Sequence, residues 1–428
     1  MSHLGITTAM VTSSDPLTVD CVCIGAGPAG STTAALVAQH GWKTLLVERD
    51  PMPRFHVGES LMPETYWTLE RLGVVDELRR RAFTRKQGVQ FVTQQGKETR
   101  PFFFRQHDDR ESSITWHVER ADFDQMLFEN AQRLGADCRD RTRVTDIHFG
   151  EPGEPHLLTL KPADGEPYEV RARVVVDATG QQAMIANRLG LRENYADLQK
   201  AAIWGYYRGG ARMPDGEAEL TTIMNTSDKD SWFWYIPMSG DTVSVGLVSD
   251  SDRMKRTRGT AEEIFQQELA NCPVLQQRLE HAELVSELRV AKEFSYSTRE
   301  HAGEGWVLVG DAYGFIDPIY SSGVYLALKS GELAADAIDE GFRSSDLSAG
   351  QLAKWCPDFE QGVDLIRRLV RAFYTRPFSF GGFMKEHPQH QSNLTDLLIG
   401  RVFGNEAGDI FDDMDPWIRQ LLMSESVE

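Results

Sequence analysis

The sequence predicts an α/β fold: a discontinuous Rossmann-like dinucleotide-binding domain, a β-rich layer inserted into it, and a helical C-terminal region. Three observations carry this. A strand, glycine turn, helix and second strand occupy residues 19–49. Two later apolar strands each run into a short acidic turn, Asp177-Ala178-Thr179-Gly180 and Gly310-Asp311-Ala312. Between them, about residues 191–290 read as alternating strands. On this reading residues 17–345 form the dinucleotide domain, with β-rich insertions at about 82–115 and 190–290, and residues 346–428 form the helical region.

Val19 to Ile24 is rich in β-branched and sulfur side chains, as suits a strand buried on both faces. Gly25, Gly27 and Gly30 complete G-x-G-x-x-G. The first permits a tight turn, the second lets backbone approach a pyrophosphate, and the third lets the helix pack on the strand. Ser31 to His40 is a small-residue helix that Gly41 ends. Lys43 to Val47 is the second strand, and Glu48 stands where an acid hydrogen-bonds a ribose hydroxyl.

Asp50 to Pro63 is polar and proline-rich. Pro63 to Arg81 is predicted helical, with Leu69, Leu72, Val75 and Leu78 at helical spacing. Gly88 to Thr93 reads as a strand, Trp116 to Arg120 as extended, and Ala121 to Leu134 as a helix ended by Gly135. Residues 141–176 supply strands with turns at Pro152-Gly153 and Asp164-Gly165. Helices are predicted at Ala261 to Leu269, Val274 to His281 and Gly323 to Gly341. Leu365 to Phe373 and Leu394 to Phe403 are apolar stripes of the helical end.

Composition narrows the function. Of 428 residues, 41% are hydrophobic and 25% charged, which is a globular balance. A net charge of −19 opposes sequence-independent nucleic-acid binding, which depends on basic groups at phosphates. No apolar run reaches the ~18 residues of a membrane span. Met1 to Pro16 is polar, lacks a secretory pattern, and reads as a flexible lead-in. The five cysteines are scattered, with no zinc spacing and no metal site, so reduced thiols in the cytoplasm are expected.

A second acid after a late strand goes with a longer dinucleotide: Asp311 is placed to accept from a ribityl hydroxyl, which favours FAD over NAD. Arg120, in Trp116-His117-Val118-Glu119-Arg120, either clamps flavin atoms or pairs with Asp124. Together these signals resemble the flavoprotein monooxygenase superfamily across nearly all of residues 17–345. The resemblance implies FAD bound by Gly25, Gly27, Gly30, Glu48, Arg120, Gly310 and Asp311.

Four segments then resemble the flavin-dependent halogenases. Trp232-Phe233-Trp234-Tyr235-Ile236-Pro237 matches W-x-W-x-I-P. In that family Trp232 and Trp234 would crowd the flavin face. Lys86, two residues before Gly88, matches the catalytic lysine, which holds hypohalous acid or carries the halogen as a haloamine. Asp317-Pro318-Ile319-Tyr320-Ser321-Ser322-Gly323 opens a helix, whose N-terminal amides favour an anion. The resemblance assigns halide to the Ser322 and Gly323 amides. His56-Val57-Gly58-Glu59-Ser60-Leu61 matches the segment along the flavin ring, which includes Ser60.

Tryptophan halogenases carry a glutamate where this chain has Tyr320, so a phenol or pyrrole is expected, free or on a carrier protein, beside Pro318 and Tyr320. A substrate base is not evident among His56, His107 and His117. The implied reaction uses reduced FAD, O₂ and chloride or bromide, with FAD reduced by a separate reductase. The competing expectation is an FAD-dependent aromatic hydroxylase of the same superfamily.

Overall fold

A computed structural model describes residues 16–212, 219–228, 230–257, 259–292, 294–404 and 406–425. Residues 1–15 of the polar lead-in lie outside the described residues.

The first strand, Leu17–Ile24, is parallel to Thr44–Val47 on one side and to Tyr168–Asp177 on the other. Trp306–Leu308 joins beyond Tyr168–Asp177, and Asp137–Arg139 beyond Thr44–Val47, both parallel. Cys21, Val22 and Cys23 are fully buried, as strands covered on both faces require. The register brings Ile24, Val47, Asp177 and Leu308 to one edge. A ligand crevice belongs there, outside the carboxyl ends of parallel strands.

Helix Pro28–Gln39 follows the glycine turn and packs against the long helix Ser322–Ser344. Close approach needs Gly331, where an added Cβ would lie 2.6 Å from the Ala29 carbonyl oxygen. The first helix starts at Pro28, ahead of the expected Ser31, and ends at Gln39, while the second extends past its expected bounds at both ends. Pro63 to Arg81 is not one helix but two, Thr65–Arg71 and Val75–Arg80. Gly73 separates them at φ +70°, a left-handed conformation that suits glycine and breaks the helical run.

The second layer is a nine-stranded sheet in which Thr84–Val92, Glu219–Asn225, Ser231–Pro237 and Thr242–Asp250 are neighbours. The period of 2 separates its faces. Phe233 and Tyr235 pack outward with Phe265 and Leu275, from the helices Ala261–Ala270 and Pro273–Arg278. Trp232, Trp234 and Ile236 face inward and join the main core. Helix Cys356–Tyr374 of the C-terminal region joins that core through Phe359, Ile366 and Leu369, so the helical end shares the interior of the strands. No helix among the described residues is long and apolar enough to cross a membrane. All five cysteines are free thiols.

Candidate active site

A cleft runs between the parallel sheet's carboxyl edge and the inner face of the second layer. Gly25, Gly27, Glu48 and Asp311 line one wall, and Ser60, Thr221, Trp234 and Ile236 line the other.

The three fingerprint glycines do different work. A Cβ on Gly25 would lie 2.4 Å from the Ala178 carbonyl oxygen, and one on Gly30 would lie 1.9 Å from that of Gly25. Those two glycines are demanded by the protein's own packing. A Cβ on Gly27 would meet nothing nearer than Arg54 Nη2, at 3.6 Å. Gly27 is bare toward the cleft, at the N-cap of a helix with Pro28 at its first turn. A backbone left open at a helix N-terminus beside a guanidinium fits a pyrophosphate.

Arg54 was invisible to sequence reasoning because it is a lone arginine in a proline-rich loop. Its Nη1 is 2.8 Å from Asp124 Oδ2, and its Nε is 3.2 Å from Glu48 Oε2. Glu48 also accepts from the Ala26 and Asp50 amides, at 3.0 and 3.1 Å, so it ties the fingerprint turn to the second strand's exit. Arg120 does pair with Asp124, through Nε at 2.9 Å and Nη2 at 3.0 Å, yet it also lines the cleft. Its Nη1 donates to the Val57 carbonyl at 2.6 Å and so holds the loop that carries Ser60. Gly310 has φ +60°, and its amide donates to Ser330 Oγ at 2.9 Å. Burial pushes the Asp311 carboxyl up to about 6, against the opposing Arg120 charge.

Lys86 sits inside the strand Thr84–Val92 and is 2% exposed. Its Nζ donates to the Leu61 carbonyl at 2.9 Å, one residue past Ser60, and lies 5.5 Å from the Phe104 ring centroid. Burial alone lowers its pKa from 10.5 to about 7. Such a lysine exchanges its proton near neutrality. Lys86 does not itself reach the cleft wall, although its Leu61 partner adjoins it.

Pro318, Ser321 and Gly323 line the cleft, whereas Ser322 and Tyr320 lie behind it. Ser321 is at φ +60° and gives the helix no side-chain cap, so the first-turn amides are not satisfied from within the protein by a capping hydroxyl. Asp317, 1% exposed, accepts from the Ile319 amide at 2.9 Å and from Tyr374 Oη at 3.0 Å. Tyr374 accepts in turn from Trp232 Nε1 at 2.9 Å. The signature tryptophans therefore divide: Trp234 lines the cleft, and Trp232 anchors the Asp317–Gly323 turn through Tyr374. Trp234 pairs across strands with Gly246, where a Cβ would lie 2.1 Å from the indole. Tyr320 is buried, with its hydroxyl 3.4 Å from the Leu369 carbonyl oxygen.

Of the three histidines, His56 is exposed at the cleft mouth, His107 pairs with Asp396 at 3.2 Å, and His117 is fully buried. No cluster of metal-ligating side chains occurs among the described residues.

Doubly wound sheet, bare Gly27 and roofing β layer together define a dinucleotide-binding flavoprotein. The family model described as Tryptophan halogenase matches residues 20–108 and 98–377, and the chain belongs to that family. It is similar to the 1H-pyrrole-2-carbonyl (peptidyl-carrier protein) chlorinase of Pseudomonas fluorescens, at 30% identity over 92% of each chain. It is 32% identical to the corresponding brominase of Pseudoalteromonas luteoviolacea, over 91% of this chain and 93% of that one. A solved flavin-dependent brominase superimposes with TM-score 0.83 and 28% identity, over 94% of this chain and 100% of the other. The protein is a flavin-dependent halogenase that uses FAD and halide, and the hydroxylase expectation gives way to that reading.

Proposed function

We propose that the chain halogenates an electron-rich pyrrole or phenol, presented free or on a carrier protein, with Lys86 as the catalytic residue. Lys86's burial beside the Ser60–Leu61 segment carries this reading. When bound, reduced FAD activates O₂ so that chloride or bromide becomes hypohalous acid. The chain's residues then hold, aim and confine that oxidant.

Gly25 and Gly30 shape the glycine turn, and the bare backbone at Gly27 receives the pyrophosphate, with Arg54 as its counter-charge. Glu48 and Asp311 offer carboxylates to ribose and ribityl hydroxyls, and Arg120, Gly310 and Ser60 bound the flavin. The amides of Ser322 and Gly323 hold the halide at the helix N-terminus. Lys86 Nζ donates a hydrogen bond to hypohalous acid, or in its neutral form takes up the halogen as a haloamine. The pKa near 7 makes both forms accessible at neutral pH. The buried indole of Trp234 keeps the passage apolar, so a neutral oxidant is retained, while Trp232 steadies the halide turn through Tyr374.

Two observations support a pyrrole or phenol over free tryptophan. Both curated relatives described above act on a pyrrolyl group carried by a protein. Tyr320 also supplies no carboxylate, and burial raises its hydroxyl pKa further. We propose a cytoplasmic setting, which suits free thiols, and a separate reductase as the source of reduced flavin.

The test supplies chemically reduced FAD, air and bromide with pyrrole-2-carbonyl carrier protein, phloroglucinol or tryptophan, and reads product mass. Bromine on the pyrrole or phenol is expected, lost at least ~10²-fold in Lys86→Ala with FAD binding intact. Lys86→Arg separates the two roles, because guanidinium cannot deprotonate to a haloamine. Oxygen insertion in place of bromine, or normal bromination by Lys86→Ala, overturns the assignment.

A further inference from the structure

Two polar residues on the cleft wall, Ser60 and Thr221, begin a hydrogen-bond chain that ends deep in the second layer. Ser60 Oγ is 2.8 Å from Thr221 Oγ1. Thr221 Oγ1 is 2.9 Å from His117 Nε2, and His117 Nδ1 is 2.8 Å from the Pro237 carbonyl oxygen. Ser60 belongs to the loop held by Arg120, Thr221 and His117 to the two strands that flank Thr84–Val92, and Pro237 to the end of the signature strand.

The far end dictates the direction of the whole chain. A carbonyl oxygen only accepts, so His117 Nδ1 carries a proton. His117 is neutral: burial, reinforced by the Lys86 charge, holds its pKa well below 6.5. A neutral imidazole has a single N–H, so Nε2 accepts. Thr221 must then donate to Nε2, and Ser60 must donate to Thr221 Oγ1. The Ser60 proton is committed inward, and only its lone pairs remain for the cleft. An isolated serine rotates to donate or accept as its ligand requires; this one does not.

We propose that His117 and Thr221 are positioning residues that make Ser60 an obligate hydrogen-bond acceptor, so that the site selects a ligand presenting an N–H or O–H at that point. A ligand carbonyl there would face lone pairs and be disfavoured. The proposal takes the identity of its ligands from the halogenase reading. The donor comes either from the N–H groups of the flavin ring or from the pyrrole N–H or phenol O–H of the substrate.

Thr221→Val keeps the shape and breaks the chain, while Thr221→Ser restores it. Thermal melts first establish that both variants are folded. One arm titrates oxidised and anaerobically reduced FAD by fluorescence. The other titrates pyrrole-2-carboxamide and its N-methyl analogue into FAD-loaded protein by calorimetry. A flavin donor predicts an FAD dissociation constant about tenfold weaker in Thr221→Val. A substrate donor predicts a similar loss for the N–H ligand and none for the N-methyl ligand. In either case Thr221→Ser returns to within about twofold of wild type. Unchanged constants in both arms, or equal impairment in Thr221→Ser, overturn the proposal. Neither arm requires turnover, so a protein that shows this pattern and brominates nothing refutes the halogenase reading and leaves the acceptor in place.

Discussion

The cleft's two walls are made of different materials. The sheet-edge wall is mostly backbone: a glycine turn, a helix N-terminus and a strand exit, with few side chains pointing in. The opposite side is buried side chains on strands of the nine-stranded sheet: Thr221 and Trp234 line the cleft, and Lys86 and His117 lie behind them, each 0–6% exposed. The first wall presents fixed backbone dipoles, packed tightly at Gly25 and Gly30 and left bare at Gly27. The second presents groups whose protonation and hydrogen-bond direction depend on their neighbours. Binding of a constant cofactor suits the first material, and handling of a reactive oxidant and a variable substrate suits the second.

The largest expected effect tests whether the first wall is bare for the ligand's sake. Gly27→Val places its methyls in open cleft, since no protein atom lies within 3.6 Å of the added Cβ. It should fold with a near-native melting temperature and lose FAD affinity roughly a hundredfold or more, about 3 kcal/mol. Gly30→Val should fail to fold, because its Cβ would overlap the Gly25 carbonyl at 1.9 Å. Flavin absorbance and thermal melts read both. A yellow, fully loaded Gly27→Val protein would erase the distinction between the two glycines.

Legibility in the sequence follows the same division. Gly25, Gly27, Gly30, Gly310 and Asp311 form short contiguous patterns, because backbone chemistry requires glycine at set spacings. Arg54 closes the same site from a loop, and no spacing rule links it to Gly27 or Asp124, 70 residues away from it. The W-x-W-x-I-P strand was recognisable, but its two indoles look alike in sequence. The pleat turns both indoles inward, and only the packing of helix Cys356–Tyr374 shows that Trp232 bonds Tyr374 while Trp234 meets the cleft. Lys86 sits in a basic run with Arg79, Arg80, Arg81 and Arg85, which suggests solvent. Its burial arises from pairing of its strand with Thr115–His117 on one side and Glu219–Asn225 on the other. The Ser60–Thr221–His117 chain joins residues 161 and 104 positions apart. No local pattern announces it.

A middle-sized effect concerns the turn where the walls meet. Tyr374→Phe removes the donor to Asp317 and the acceptor of Trp232 Nε1 together. The buried indole N–H and the Asp317 carboxyl each lose a partner, which costs about 1–3 kcal/mol of stability. Asp317 keeps only the Ile319 amide, so the turn that presents Gly323 is held less firmly. The Michaelis constant for bromide should rise several-fold, by about 1 kcal/mol, while FAD affinity stays within about twofold. Steady-state bromination against bromide concentration measures the first, and flavin titration the second. An unchanged bromide constant would detach Trp232 and Tyr374 from the halide turn and leave them as core packing.

The smallest expected effect separates side-chain chemistry from backbone chemistry by pH. In the unfolded chain Lys86 holds its proton up to about pH 10.5, and in the folded protein only up to about 7. Between these values the unfolded state binds more protons, so folding stability rises with pH across that window. Below about pH 7 Lys86 is charged in both states, and the cost of burying it is fully present. Each pKa unit corresponds to about 1.36 kcal/mol, so that cost amounts to a few kcal/mol. Lys86→Met removes the charge and fills much of the same space, but leaves the Leu61 carbonyl without its donor, which offsets part of the gain. The variant should therefore melt a few degrees above wild type at pH 6. The advantage should shrink as pH climbs from 7 toward 10 and vanish or reverse at the top. Other lysines and tyrosines titrate in both proteins, so the difference between paired melts at each pH isolates Lys86. A constant difference from pH 6 to 10 would mean that Lys86 is not proton-poised, and its wall would then act by shape alone, as the glycine wall does.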